Sequence, residues 1–303
     1  MMDLVQRLIR SAVKALKILW AYITSIAQKV GDLDILFLAS GVAFNGVLTL
    51  IPLMLLLASA LGIFLNSSEM GVQQLHTILN TIFPPQPFAT SIKTSILEVL
   101  SSIVEHRNSL GLFGFLVLIW TGLALFDSVR SVLHRVYYLK RTKSLIAGLV
   151  HDLGFLFLAF IFFIISNVAI WVSTLMERIA VDVPGLRSLR LEGLDTIVPT
   201  AIVTLITAVM FYIVYRHMTD SKPPKAAAMI STVTTTIVWI ISGKVFALYL
   251  TSFSGIATVY GSYAFLLVLL LWIYYSSLIF VFGGIVGQVY WERLRAREQR
   301  AAD

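Results

Sequence analysis

An uncharged run from Val245 to Trp291 constrains this chain more than any other feature of its sequence. The run contains no Lys, Arg, Asp or Glu. A helix of roughly 20 apolar residues crosses a bilayer core about 30 Å thick. The part from Tyr260 to Tyr290 is therefore predicted to span a membrane once, with some tilt.

The rest of the chain is equally apolar. Of its 303 residues, 58% are hydrophobic and 13% are charged, and the mean hydropathy is +0.88. These values are far from those of a soluble domain and predict an all-α integral membrane protein. The chain has no cysteine, which excludes disulfides and thiolate metal sites.

Six apolar stretches are long enough to be membrane-spanning helices, and together they define a transmembrane domain over residues 32–292. The predicted spans are about 34–65, 109–135, 145–176, 196–216, 226–250 and 260–290.

Three segments flank or interrupt the spans. Residues 1–31 combine apolar residues at helical spacing with basic residues, which predicts a cytoplasmic amphipathic helix lying on the membrane surface. The polar insertion at 66–108 keeps an apolar stripe and is predicted to form two helices, broken at Pro84-Pro85-Gln86-Pro87, that cap the outer face. Residues 293–303 form a basic tail.

The distribution of basic residues predicts the orientation. Most of the 23 Lys and Arg residues lie in the N-terminal segment, the turns at 130–143 and 216–225, and the tail. The positive-inside rule then places both termini in the cytoplasm, as an even number of spans requires. The net charge of +7 also suits a nucleic-acid binder, but these residues ring a membrane face and belong to no recognition motif. Nucleic acid is not an expected partner.

Three stretches together resemble a family of bacterial inner-membrane proteins. They are ASGVAFNGVLTLIPLMLLL at 39–57, GLFGFLVLIWTGLALFDSVRSVLHRVY at 111–137, and the region 222–284 with its YGSYAF motif at Tyr260. The family is named for the virulence factor BrkB, is also called YihY, and was formerly labelled ribonuclease BN. The resemblance implies a multi-pass protein associated with virulence and serum resistance.

The resemblance also shows one departure. After Gly283-Gly284 the family tends to carry an acidic residue, whereas this chain has Ile285-Val286-Gly287-Gln288. This weakens the case for ion coupling through that carboxylate.

The ribonuclease label is not supported by the histidines. A metal-dependent nuclease needs clustered His and Asp ligands. The five His residues form no HxH or HxHxDH pattern. We therefore expect no metal, no cofactor and no enzymatic activity. There is likewise no Walker, GxSxG or HExxH motif.

Charged residues within predicted spans are the first candidates for a functional site, because lipid makes them costly. Lys244 either faces a cavity that attracts anions or extends its amine to the outer headgroups. Asp127 and Arg130 lie one turn apart and form either a local ion pair or a gate at a cavity mouth.

Other polar or helix-breaking residues give weaker indications. His151 and Asp152 begin the third span, as a proton relay or as a membrane boundary. Pro52 predicts a kink in the first span that either shapes a cavity or hinge or is purely structural. Asn45 and Asn167 line a cavity or bond between helices. Tyr260 lies in the outer aromatic belt or along a transport path.

Gly283 and Gly287 have the GxxxG spacing of closely packed membrane helices. This packing is either within one chain or between two, so the spacing permits a homo-oligomer without requiring one.

These observations favour a transporter of a small solute, ion or lipid through a polar-lined cavity between helices, in the bacterial inner membrane. An antiporter needs a titratable group at a sealed site, whereas lipid transport needs a groove open to the bilayer with charge at its ends. The alternative is a non-transporting envelope scaffold or virulence factor that acts through its outer cap. Membrane lipids are the expected partners in either case.

Overall fold

Helices account for all the regular structure in the part of the chain that the computed structural model describes. That part comprises residues 16–17, 20–67, 87–142, 144–182, 194–252 and 263–302. The helices are α1 (20–32), α2 (Ile35–Ser67), α3 (Pro87–Val136), α4 (Leu145–Asp182), α5 (Leu194–His217), α6 (Lys225–Ser252) and α7 (Tyr263–Ala302).

Six of these helices are long and apolar enough to cross a membrane. The spanning segments are Ile35–Ile63, Glu105–Val136, Ile146–Val172, Thr200–His217, Lys225–Tyr249 and Leu266–Arg300. Large apolar side chains along them are exposed, such as Phe157, Phe160 and Phe163 on α4. Such surfaces suit contact with lipid rather than water. The predicted all-α fold with six spanning helices is confirmed.

Two helices continue through boundaries that the sequence predicted. Residues 87–108, predicted to belong to an outer cap, are continuous with the second span in α3, because no proline interrupts the helix after Pro87. The basic tail is likewise the last part of α7, which ends at Ala302. The predicted cap helix that precedes Pro84 lies outside the described residues.

The chain divides into two compact units, and the unit of residues 44–125 is built on a close helix pair. Ser59 Oγ on α2 donates to the carbonyl of Arg107 on α3 at 2.7 Å. A Cβ built at Gly111 would lie 2.5 Å from that Ser59 hydroxyl oxygen, and one at Gly62 would lie 2.9 Å from the carbonyl oxygen of Ile103. Small residues thus let the two backbones approach closely, as in many membrane helix pairs.

The other unit comprises residues 1–43 and 126–303, and α6 and α7 form its tightest contact. A Cβ at Gly283 would lie 1.8 Å from Thr235 Oγ1, and one at Gly287 would lie 2.0 Å from Ser231 Oγ. The two hydroxyl residues are one helical turn apart on α6, as the two glycines are on α7. The absence of side chains at both glycines therefore sets the spacing of this pair.

Two buried tyrosines extend this contact to neighbouring helices. The Tyr215 hydroxyl on α5 lies 2.6 Å from Thr235 Oγ1 and donates to the Phe280 carbonyl at 2.5 Å. The Tyr137 hydroxyl, just after α3, lies 2.8 Å from Ser231 Oγ. Each tyrosine therefore satisfies a hydroxyl of α6 that has no access to water.

Candidate functional site: a charged pocket

A network of ion pairs joins α3 to α4 at the end of the unit that carries the 137–144 turn. Arg130 is 7% exposed and Asp152 is fully buried. Arg130 Nη2 lies 2.7 Å from Asp127 Oδ1 and 3.1 Å from Asp152 Oδ2. A buried charge is tolerated when it is paired in this way. From the sequence, we treated Asp127 and Arg130 as one candidate pair and His151 and Asp152 as another. In the structure both pairs belong to one network, because Arg130 contacts both carboxylates.

Arg141, in the turn after α3, is the exposed member of the network and pairs with Asp127. Its Nη2 lies 2.9 Å from Asp127 Oδ1 and also donates to Ser131 Oγ. Both Arg141 and Asp127 are about half exposed. One end of the network, the Arg130–Asp152 pair, is therefore buried, and the other end, the Asp127–Arg141 pair, is accessible to solvent.

Gly148 on α4 makes room for the Arg130 guanidinium. A Cβ at Gly148 would lie 2.6 Å from Nη1 and 2.9 Å from Nη2. Any other residue at this position would displace the arginine from its two carboxylates. Neither Gly148 nor Arg141 was among the sequence candidates, since a lone helical glycine or an exposed arginine carries no distinctive pattern.

His134 and Asp220 connect the last turn of α3 to the turn between α5 and α6. His134 Nδ1 donates to the Arg130 carbonyl at 2.8 Å, and Nε2 accepts from the Asp220 backbone N–H at 3.3 Å. Asp220 Oδ2 in turn accepts from the Thr142 N–H at 2.8 Å. The sequence did not single out either residue, because the two turns are far apart in the chain.

His151 also reaches the α5 end. Its Nε2 lies 3.0 Å from the carbonyl oxygen of His217, so the ring donates there, and its Nδ1 lies 3.7 Å from Asp152 Oδ1. The ring packs against Phe155 with centroids 5.0 Å apart. His151 thus ties α4 to α5 beside the buried carboxylate.

An open pocket of about 870 Å³ lies against this network. Its walls come from the α1–α2 junction, the last turns of α3 and the following turn, and consist of Asp32, Leu33, Asp34, Phe37, Asp127, Ser131, His134, Arg135, Tyr138, Leu139 and Arg141. The pocket therefore holds carboxylate and guanidinium groups together, alongside the apolar side chains of Leu33, Phe37 and Leu139.

A second, more apolar cavity of about 300 Å³ adjoins the charged pocket, and we call it the annex. Phe37, Ser131 and Arg135 line both cavities. The annex continues along α2 and α3, where it is lined by Leu38, Gly41, Val42, Ser128 and Val132. A charged cavity and a more apolar one therefore lie side by side and share part of their walls.

Two pocket residues adopt left-handed backbone conformations at helix ends. Asp34 has φ 48° and Tyr138 has φ 52°. After Tyr138 the Leu139 N–H bonds to the His134 carbonyl at 2.9 Å, which closes the end of α3. This conformation costs a non-glycine residue about 1–2 kcal/mol. The pocket rim is therefore held by local geometry that most residues disfavour.

Helix α1 is attached to α7 by polar contacts. Lys29 Nζ lies 2.7 Å from Glu292 Oε1 and 4.5 Å from the centre of the Tyr138 ring. Arg293 donates to Ser25 Oγ at 2.8 Å and stacks over the Tyr22 ring. Burial raises the pKa of the Tyr22 hydroxyl, and the charge of Arg293 opposes that rise.

The apolar side of α1 faces outward. Trp20 and Ile23 are 69% and 50% exposed. This arrangement suits the predicted interfacial helix, whose apolar side chains would enter the headgroup region.

Gln288 lies in the stretch after Gly283-Gly284, where the resembled family tends to carry an acidic residue. It is 3% exposed, and its Nε2 donates to Glu292 Oε1 at 2.9 Å. The nearest carboxylate on α7 is therefore one turn further along, where it pairs with Lys29.

The remaining sequence candidates lie away from the pocket. Lys244 is exposed on α6 and forms no ion pair within the described part of the chain. Asn167 is exposed and donates to the Phe163 carbonyl of its own helix at 2.8 Å, rather than to a neighbouring helix. Tyr260 lies outside the described residues.

Asn45 and Pro52 belong to the unit of residues 44–125. Pro52 is buried inside α2, and the Asn45 carbonyl accepts from Thr49 Oγ1 at 2.8 Å. The same hydroxyl lies 3.2 Å from the Thr121 carbonyl on α3. The helix turn before Pro52 is thus bridged to the adjacent helix of the same unit.

No group of three or more His, Asp or Glu side chains is placed to hold a metal ion in the part of the chain that the structure describes.

The fold and the site define a multi-pass α-helical membrane protein with a charged pocket at one end of its helices. The family model described as virulence factor BrkB matches residues 26–303, and the chain belongs to this family. The resemblance noted in the sequence is thereby confirmed.

Curated relatives are similar over most of this chain. It is 24% identical over 270 residues to a UPF0761 membrane protein of Bordetella petrii, covering 86% of this chain and 55% of that protein. The chain thus spans about half the length of this relative. It is 23% identical to a UPF0761 membrane protein of Actinobacillus pleuropneumoniae, covering 82% and 85% of the two chains.

A third relative carries a different name. The ribonuclease-like protein YfkH of Bacillus subtilis is 23% identical, covering 71% of this chain and 78% of YfkH. No solved structure matches the chain.

Proposed function

We propose that this protein is a secondary transporter for an amphipathic substrate, and that the charged pocket and its annex are the site where the substrate enters. The observation that carries the proposal is that the two neighbouring cavities share Phe37, Ser131 and Arg135 in their walls. A polar group fits the first cavity and an apolar chain fits the second. Their volumes lie in the range of ligand sites in proteins.

The ion network supports this function because Asp127 has two arginine partners, of which Arg130 is buried and Arg141 is half exposed. Arg130 lies between Asp127 and Asp152, and Arg141 competes for the same Asp127 oxygen. If Arg141 leaves Asp127, the pocket opens while Arg130 keeps the fully buried Asp152 paired. A gate at this position therefore moves a half-exposed pair and leaves the costly buried pair intact.

The charge distribution supports a cytoplasmic orientation of the pocket. The basic residues cluster at the pocket end, in the turns at 137–144 and 218–224 and in the last turns of α7. By the positive-inside rule this end faces the cytoplasm of a bacterial inner membrane. The substrate then enters from the inner leaflet or the cytoplasm.

Translocation of a fluorescent phospholipid in proteoliposomes tests the proposal. Gly41→Leu places a side chain in the annex, where a Cβ would meet nothing within 4 Å and the helix is therefore undisturbed. Gly154→Leu is the matched control, because Gly154 is equally open and lines neither cavity. We expect the wild type and Gly154→Leu to move lipid, and Gly41→Leu to be at least about tenfold slower.

Other results would point to the other functions. A proton flux without lipid movement, measured with a pH-sensitive dye under an imposed cation gradient, would favour an antiporter. Inactivity of folded protein in both assays would favour the scaffold that acts through its outer segments.

A further inference from the structure

We infer that the charged pocket recognises a zwitterionic phospholipid headgroup that carries a phosphate and a primary ammonium. The inference rests on the proposed function and names the substrate class of the same site. It rests on the order of the lining residues: apolar side chains in the annex, Arg135 at the boundary, and Asp32 and Asp34 in the pocket.

Arg135 lies at the boundary between the two cavities. It is exposed, it lines both of them, and it forms no ion pair with the described residues. A guanidinium is well suited to a phosphate because its N–H groups can donate in pairs. In a phospholipid the phosphate lies between the apolar chains and the end of the headgroup, which is the place that Arg135 occupies between annex and pocket.

Asp32 and Asp34 line the charged pocket but not the annex. Both are exposed, and neither side chain is ion-paired within the described part of the chain. Two carboxylates beyond the guanidinium fit an ammonium group that lies beyond the phosphate. The sequence of apolar wall, cation and anions thus matches apolar chain, phosphate and amine.

The other charges in the pocket are already paired with protein groups. Asp127 binds both Arg130 and Arg141, and His134 bonds to the Arg130 carbonyl and to the Asp220 N–H. Recognition therefore falls to Arg135, Asp32 and Asp34. Their two negative charges and one positive charge favour a zwitterion over an anionic headgroup, which would meet two carboxylates without an ammonium to neutralise them.

The position of the site along the helices fits a lipid that remains in the bilayer. Asp34 immediately precedes α2, and Arg135 is in the last turn of α3. Both lie at span ends, where headgroups are found, while Leu38, Val42 and Val132 of the annex lie further into the spans. Phe37 at the shared wall is 71% exposed, so a lipid can enter from the side.

Lipid binding to the purified full chain in detergent micelles, measured by native mass spectrometry, tests the inference. The probes are phosphatidylethanolamine, phosphatidylcholine and phosphatidylglycerol with identical acyl chains. We expect phosphatidylethanolamine to bind most tightly. Phosphatidylcholine keeps the charge but has no N–H donor, so it should bind more weakly, and phosphatidylglycerol should bind least.

Charge-neutralising variants assign the recognition to residues. The double variant Asp32→Asn/Asp34→Asn should weaken phosphatidylethanolamine binding roughly tenfold and remove its advantage over phosphatidylglycerol. Asparagine tolerates the left-handed conformation of Asp34, so the backbone is preserved. Arg135→Gln should weaken the binding of all three lipids. Glu298→Gln and Arg300→Gln, at exposed α7 positions outside both cavities, are the matched controls.

The inference is overturned if phosphatidylglycerol binds the wild type as tightly as phosphatidylethanolamine, or if the double aspartate variant keeps the wild-type preference. Binding and transport separate the two proposals. Headgroup-selective binding without lipid translocation would refute the proposed transport function but support the proposed headgroup site. If Gly41→Leu blocks translocation but the protein shows no headgroup preference, the transport function is supported and the headgroup selectivity is refuted.

Discussion

The Cβ that Gly148 lacks would lie 2.6 Å from Nη1 of Arg130. The guanidinium thus rests on the bare backbone of α4, within reach of Asp152 on the same helix at 3.1 Å. A close helix contact and a buried ion pair depend on each other here, because the arginine reaches the carboxylate only where α4 presents no side chain.

Replacement of Gly148 by alanine is therefore expected to destabilise the protein. The added methyl group must displace Arg130, and overpacking of this kind costs roughly 1–3 kcal/mol. Gly154→Ala on the same helix, where nothing lies within 4 Å of the new Cβ, should be neutral or slightly stabilising. Reversible unfolding in mixed micelles measures both. Equal stability of the two variants would contradict the packing described for Arg130.

The two carboxylates that bind Arg130 should differ in their contribution to stability. Asp152→Asn leaves a buried guanidinium short of one partner and should cost about 3 kcal/mol. Asp127→Asn should cost less than about 1 kcal/mol, because that side chain is 46% exposed. The same unfolding assay ranks them, and the reverse order would show that Asp127 is the principal counter-ion.

A double variant separates the ion pair from its surroundings. Arg130→Gln/Asp152→Asn removes both buried charges and should be more stable than the sum of the single effects predicts. Strict additivity would mean that the two side chains do not interact.

Gly283 and Thr235 are expected to show energetic coupling. Gly283→Ala places a methyl group against Thr235 Oγ1, so α6 and α7 must separate or the threonine must rotate and lose its bond to Tyr215. We expect a loss of roughly 1–3 kcal/mol that is smaller in a Thr235→Ala background. A double-mutant cycle on thermal unfolding measures the coupling energy. A coupling energy of zero would mean that the two residues are not in contact.

Arg293 should control the attachment of α1 to α7. Arg293→Ala removes the bond to Ser25 and the stacking on Tyr22, and we expect amide hydrogen exchange in residues 20–32 to become roughly fivefold to tenfold faster. Arg295→Ala is the control, because Arg295 stacks on Trp291 of its own helix. The Tyr22 pKa should also rise in Arg293→Ala, since the arginine charge lowers it. Unchanged exchange would mean that Lys29 and Glu292 hold α1 alone.

Part of the ion network was accessible from local sequence. Asp127 and Arg130 are three residues apart, so one helix turn brings them together whatever the rest of the fold. Gly283 and Gly287 share a face for the same reason. The continuous helix through residues 87–136 was not predicted, because the polar stretch before Ser109 was assigned to a separate amphipathic helix of the outer cap, although nothing in it interrupts helical hydrogen bonding.

What the sequence by itself determined is the number of spanning helices, since each helix that crosses a bilayer needs a run of roughly 20 largely uncharged residues. Only the tertiary structure decided that Asp152 meets Arg130, that Gly148 leaves space between them, and that Asp220 reaches His134. The physical reason is that helix pairing in lipid depends on individual small residues and hydrogen bonds, which follow no periodic pattern. The pocket belongs to this second class, because Asp34, Arg135 and Phe37 come together only when α2 and α3 are placed side by side.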